Sequence, residues 1–146
     1  MGGIVVRPAR REETDAVADV HAATARVAYA HVFEGPFPLE EARERWSAFP
    51  GEIAVAEEDG RLVGFAAYDA RELYGLYVLP SHQGRGLGSR LLDAAGPVEE
   101  LWVLRDNAAA RRFYERRGWR AADERIDPYG AAEVRYLRGS RGAPRD

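Results

Sequence analysis

Three stretches of this chain hold residue types at spacings that can do chemistry. The first is Gln83-Gly-Arg-Gly-Leu-Gly-Ser89, which follows the apolar run Leu76-Tyr-Val-Leu and precedes Leu91 and Leu92. Gly84, Gly86 and Gly88 let the backbone fold tightly. The free amides of a helix starting there, with its dipole, hold a phosphate-bearing ligand, and Arg85 adds a charge. The second stretch is Asn107-Ala-Ala-Ala-Arg-Arg-Phe-Tyr114. Asn107 and Tyr114 are two helical turns apart and face the same way, while Phe113 belongs to the adjacent face and is expected in the core. The third is Glu72, eleven residues before Gln83 on the segment leading into the glycines. Asp69 is the reserve carboxylate.

Composition removes whole classes of mechanism. There is no cysteine, so disulfides, thiolate metal sites and a cysteine acyl intermediate are excluded. All 21 basic residues are arginine, which excludes a lysine Schiff base and a Walker-type loop. His21, His31 and His82 lack metal-type spacing, so no metal is expected. A net charge of −3 argues against an extended nucleic-acid surface and is mildly compatible with a cationic substrate. No apolar run is long enough to cross a bilayer, and the first residues do not read as a signal peptide, so a cytoplasmic location is expected.

The elements that must position these residues read clearly. Strands are expected at Ile4 to Arg7, Ile53 to Ala56, Leu62 to Tyr68, Glu72 to Leu79, Val98 to Leu104, Trp119 to Ile126 and Ala132 to Leu137. Asp59-Gly60 marks the hairpin between the second and third. Helices are expected from about Thr14 to Val32, from Leu39 to Phe49, over a stretch carrying Leu87, Leu91 and Leu92, and after a cap at Asp106 or Asn107, this last one running to Arg117 and stopping at Gly118. Period-two alternation puts Glu72, Tyr74, Leu76 and Val78 on one face if no bulge intervenes. Gly96-Pro97 ends the third helix early, which makes the connection to the next strand short.

Gln83-x-x-Gly86-x-Gly88 resembles the acetyl-CoA pyrophosphate signature of the GNAT (GCN5-related N-acetyltransferase) family. Asn107-x-x-Ala-x-x-x-Tyr114-x-x-x-Gly118-Trp119 is similar to a later motif of that family, with Trp where Phe is commoner. The order of elements over residues 4 to 138 resembles that fold as well. The resemblance implies an α/β (α+β) fold: a mixed, mostly antiparallel twisted sheet of about seven strands flanked by about four helices. One domain would span residues 1–138, with 139–146 as a flexible tail. It further implies that acetyl-CoA is bound by Leu76, Tyr77 and Val78 through the backbone, by Gln83 to Ser89 (Leu87 included), and by Asn107 and Tyr114. A backbone amide such as that of Val78 would polarise the thioester carbonyl. Tyr114 would protonate the leaving thiolate, and Glu72 would take the proton of the attacking amine, directly or through a water. Without cysteine, direct attack in a ternary complex is preferred over a ping-pong route.

The acceptor is read less sharply. The family builds its acceptor pocket from the first two helices and their connection, here Tyr29, His31 and Phe33 with the Pro36-Phe-Pro38 loop and nearby acids. A primary amine on a small molecule or a peptide fits, and a homodimer is compatible with the chain. Two other readings stay open. One is a non-catalytic acyl-CoA-binding regulatory module. The other is a small nicotinamide-dinucleotide enzyme, since Gly84-x-Gly86 matches the first two glycines of that fingerprint but Ser89 stands at the third.

Overall fold

The computed structural model describes residues 3–28, 37–127 and 130–138. Tyr29, His31 and Phe33 lie outside the described residues, as does 139–146. Seven strands form one sheet, ordered β1-β2-β3-β4-β5-β7-β6. β1 (Ile4–Pro8) pairs antiparallel with β2 (Glu52–Glu58), and β2 turns into β3 (Arg61–Tyr68). Asp59 and Gly60 at that turn have φ of 52° and 79°, the left-handed pair that a two-residue hairpin needs. β3 pairs antiparallel with β4 (Glu72–Val78), and β4 meets β5 (Glu100–Leu104) in parallel. β5, β7 (Ala132–Arg138) and β6 (Trp119–Ile126) close the sheet antiparallel. The mixed, mostly antiparallel seven-stranded sheet is the one the sequence predicts.

Helices α1 (Thr14–Ala28) and α2 (Leu39–Ser47) cover one face, α3 (Leu87–Ala95) and α4 (Ala108–Glu115) the other. On the α1/α2 face, Phe65 of β3 pairs with Tyr77 of β4, and their rings meet Trp46 and His21. The Trp46 Nε1–H donates to His21 Nδ1 at 3.1 Å, tying the two helices together. On the other face, Gly64 pairs with Val78 beneath Leu91 of α3, and Tyr136 of β7 is held by α4. Its hydroxyl accepts from Arg111 and donates to Glu115. Several boundaries are shorter than the sequence suggests: β4 ends at Val78 and α4 at Glu115. α2 stops at Ser47 because the chain meets Pro50-Gly51, and β5 starts at Glu100 although Val98 is fully buried. Burial of Val98 comes from a turn, not a ladder: its N–H donates to Gly96 O.

Arg7 fastens the edge of this sheet. It donates to Glu57 on β2 and, through both terminal nitrogens, to Glu13 ahead of α1. The Arg7 guanidinium holds the Glu13 carboxyl down to about 2. A carboxyl whose folded pKa is depressed adds stability above its unfolded pKa of about 4.3 and loses it as pH falls through the folded value. Thermal midpoints should therefore drop between about pH 4.5 and 2, and the drop should be shallower in Glu13→Gln. An identical pH profile in the variant would contradict this.

Candidate active site

β4 is where the sheet comes apart. Only Glu72 and Leu73 pair with Glu100 and Leu101 of β5; beyond them β4 keeps its partner on β3 alone. The Leu79 N–H donates to Val63 O on β3. Backbone polarity alternates along a strand, so the N–H groups of Val78 and Leu76, and the Leu76 carbonyl, face the split. The Val78 carbonyl is taken: Gln83 Nε2 donates to it at 3.0 Å. Gln83 thus props the strand end.

A bulge at Tyr74 overturns the expected alternation. Gly75 pairs with Ala67 and Leu73 with Tyr68, so Tyr74 is an extra residue on β4. Leu73 shares the α3/α4 face with its partner Leu101 and, through it, Tyr136. Gly75 instead sits beneath Trp46, on the α1/α2 face. The inserted residue reverses the phase, so Glu72 faces the α1/α2 side, opposite to Leu76 and Val78. The Tyr74 ring stands against Phe49 there, centroids 5.3 Å apart.

The carboxylates around the bulge differ in kind. Asp69 Oδ1 accepts from the N–H groups of Arg71 and Glu72, at 2.8 and 2.7 Å, and Oδ2 from the Tyr74 hydroxyl at 2.7 Å. Those bonds hold its carboxyl below the usual range and close the turn that leads into β4. Glu72 is half-buried. Burial, then Glu100 and Asp69 nearby, push its carboxyl up, only partly offset by Arg125 and Arg71. Glu100 opposite is contacted by Arg71 and Arg135 at 3.6 and 3.5 Å.

The split leads to the glycine loop. The amides of Gly84, Arg85, Gly86, Leu87, Gly88 and Ser89 have no acceptor among the described residues. Gly86 caps α3 in a left-handed conformation, φ 78°. Gly88 lies under Phe113, where a Cβ would come within 3.2 Å of the ring. Leu87 is buried and presents only its amide; Ser89 turns its hydroxyl to Arg117, which also lies over the Phe113 ring. This is an anion nest at a helix start. Gly86→Ala meets no atom but must hold a positive φ, so it should lower stability by about 1 kcal/mol and weaken phosphate-ligand binding more than that. Equal thermal midpoints and equal affinity in the variant would contradict the nest.

On α4, Asn107 is the cap: its Oδ1 accepts from the Ala110 N–H at 3.1 Å, and its amide NH₂ has no acceptor among the described residues. Tyr114, not Phe113, is the buried aromatic, 7% exposed among Phe113, Trp119 and Tyr136. Burial raises the Tyr114 hydroxyl, and neighbouring Tyr77 adds to it. The sequence reading missed the wall opposite β4, where His21 stacks on Tyr77 and meets Phe37 edge-on. Burial, with Arg45 nearby, lowers His21 to about 4 and keeps it neutral. Its place two residues after Asp19 on the stripe of α1 was the only signal in the sequence. A groove of about 540 Å³ runs along α3, lined by Ser89 of the glycine loop together with Leu92, Pro97, Arg117 and Trp119.

This architecture argues against the dinucleotide alternative, which needs a parallel doubly wound sheet. It agrees with what the chain is similar to. The family model described as an acetyltransferase (GNAT) domain matches residues 50–121. An uncharacterized N-acetyltransferase of Archaeoglobus fulgidus is 40% identical, covering 42% of this chain and 55% of that one. A mycothiol acetyltransferase of Acidimicrobium ferrooxidans is 38% identical over 61% of this chain and 35% of its own. The chain thus spans about half the length, or less, of these relatives. The solution structure of apo YjaB from Escherichia coli superposes with a TM-score of 0.78 at 19% identity, covering 94% of this chain and 98% of that one. The PaiA N-acetyltransferase of Thermoplasma acidophilum, solved with coenzyme A, gives 0.71 at 21% identity, covering 91% and 98%. Residues 50–121, which carry the split sheet, the glycine loop and α4, thus form an acetyltransferase domain of the GNAT family.

Proposed function

We propose that this chain transfers an acetyl group from acetyl-CoA to a primary amine on a small molecule or a peptide. The observation that carries the reading is the β4–β5 split: main-chain groups at Leu76 and Val78 that no strand satisfies, leading to six amides without acceptors among the described residues. The residues present fit that donor. A nest of amides suits a pyrophosphate, and an open strand edge suits an arm that carries its own amides. Once bound, acetyl-CoA supplies the activated acyl group.

The Val78 N–H faces the split and stabilises negative charge on the carbonyl oxygen as the amine adds. Glu72 takes the ammonium proton from the α1/α2 side, and its raised pKa brings it nearer to the group it must deprotonate. Tyr114 donates to the departing sulfur. The raised pKa weights its role toward holding a hydrogen bond, since full transfer to a thiolate of pKa about 8.5 runs uphill. With no cysteine to carry the acyl group, transfer is direct. On the acceptor side, Phe49, Tyr74, Tyr77 and His21 give an aromatic wall beside Glu72 and Glu100, which suits an ammonium on an apolar body. In this reading Tyr29, His31 and Phe33 also contact the acceptor, and the reaction belongs in the cytoplasm.

Thermal unfolding with acetyl-CoA, CoA and NADH in parallel tests the donor. Saturating ligand at a thousandfold its Kd should stabilise by about 4 kcal/mol. A shift with both CoA species and none with NADH supports the reading; the reverse pattern overturns it.

A further inference from the structure

His21 on α1 is 8% exposed, and only one of its two ring nitrogens is used. Trp46 has an N–H and no acceptor, so its bond to Nδ1 fixes that nitrogen as the one without a proton. Burial, then Arg45, hold the imidazole neutral, and a neutral ring with a bare Nδ1 carries its proton on Nε2. Nε2 has no partner among the described residues. It is not sealed in: among those residues Arg43 Nε is the sole side-chain nitrogen or oxygen both fully buried and unpaired. His21 therefore presents one fixed donor, Nε2–H, to an open space. Its neighbours aim that donor. The ring stacks on Tyr77, centroids 4.7 Å apart, and Phe37 meets it edge-on at 4.9 Å. The two nitrogens of an imidazole diverge, so Nε2–H points away from Trp46. Tyr77 belongs to the part of β4 that β5 does not pair with. Its ring overhangs Gly75, where a Cβ would come within 2.9 Å of Cε2, and so leans back along β4 toward the bulge and Glu72. His21 thus stands on the Glu72 side, over the open stretch of β4 that ends at Val78.

We propose that His21 Nε2–H is the specificity-determining group on the acceptor side, and that it takes a neutral oxygen, a carbonyl or a hydroxyl, carried by the amine. The inference rests on the acetyl-transfer reading above and adds the acceptor's class: an amine with such an oxygen on its body, in place of a plain alkylamine. A neutral imidazole offers one hydrogen bond and no charge, which a neutral oxygen satisfies. Glu72 and Glu100, paired on the same face, disfavour a carboxylate there. An alkyl chain in the same place leaves Nε2–H covered and unpaired, which costs more than the bond itself gains. A site that holds one donor ready for an oxygen therefore rejects the analogue without it more strongly than an extra apolar contact could. No covalent bond changes at His21.

The test pairs amines that differ in the oxygen: glycinamide, β-alaninamide, ethanolamine and propanolamine against n-propylamine and n-butylamine, with β-alanine as the carboxylate. Wild-type kcat/KM should favour the amides or the alcohols, and in His21→Asn the ratio to the alkylamines should fall by about tenfold or more. Asn still offers Trp46 an acceptor at the place of Nδ1 but cannot reach that of Nε2. Gln reaches it, so His21→Gln should restore the ratio. Amine basicity is common to all three proteins and cancels. Nitrogen NMR of the wild-type imidazoles carries the test if the variants do not fold. His21 should show a bare Nδ1 and a protonated Nε2, and with CoA present Nε2–H should shift on adding the amides or alcohols and not the alkylamines. An unchanged ratio in His21→Asn, an Nε2–H that ignores the oxygen-bearing amines, or a preference for β-alanine overturns the inference; acetylation without the oxygen preference leaves the acetyl-transfer reading standing. An Nε2–H response without acetylation of any amine upholds the His21 site and sinks that reading. Neither response nor acetylation overturns both.

Discussion

Glu72→Gln is expected to lower kcat by roughly 10²- to 10⁴-fold while leaving the acetyl-CoA dissociation constant unchanged. The amide keeps the shape of the side chain but cannot take a proton. Glu72 also lies on the face of β4 opposite to the groups that would hold the donor. The pH profile adds a readout that a structural role would not move. Catalysis needs the ionised carboxylate, so kcat/KM should fall as pH drops through the Glu72 pKa. Burial first, then Glu100 and Asp69, raise that pKa, so the acid limb should stand above the ordinary carboxylate range. Glu100→Gln removes one of the raising charges and should move the limb to lower pH with kcat at the plateau retained. A Glu72→Gln enzyme with near-normal kcat, or a limb that ignores Glu100, would remove Glu72 from the mechanism. Asp69→Asn serves as the contrast. It disturbs the turn and the Tyr74 hydroxyl bond, so it should act on stability.

Tyr114→Phe should lower kcat by about 10²-fold with little change in thermal midpoint. The ring is what packs against Phe113, Trp119 and Tyr136, and phenylalanine preserves it. Only the hydroxyl is lost. If its work is to steady the departing sulfur, the loss should shrink for a thioester whose thiol is a better leaving group. An equal loss for every leaving group, or a loss that appears only in thermal stability, would make Tyr114 a core residue and nothing more.

Much of this was legible in the residues. Asp59-Gly60 gave away its hairpin because those two types tolerate positive φ. Asn107 gave away its helix because an Asn ahead of three alanines has one local use. The glycine loop was readable for the same reason: its function depends on backbone conformations within a few residues. The Tyr74 bulge was not readable. It is decided by how β4 pairs with β3, and Tyr74 and Gly75 carry no mark of it beyond the glycine itself. That one residue moved Glu72 to the opposite face from Leu76 and Val78. The turn that Asp69 closes was hidden for a similar reason: its carboxylate accepts from the amides of Arg71 and Glu72 at the start of β4. The Glu58–His82 contact joins residues 24 apart in sequence, and no local pattern announces it. No local pattern announces the contact of His21 on α1 with Tyr77 on β4 either.

The most direct measurement follows thiol release from acetyl-CoA with and without a panel of amines, alongside the intact mass of the protein. The account predicts CoA release that depends on the amine, one acetyl group gained by the amine per thiol released, and no acetylated protein at any time. Thiol release without an acceptor, an acetylated enzyme that later passes its acetyl group to amine, or acetyl-CoA binding with no turnover of any amine would contradict it.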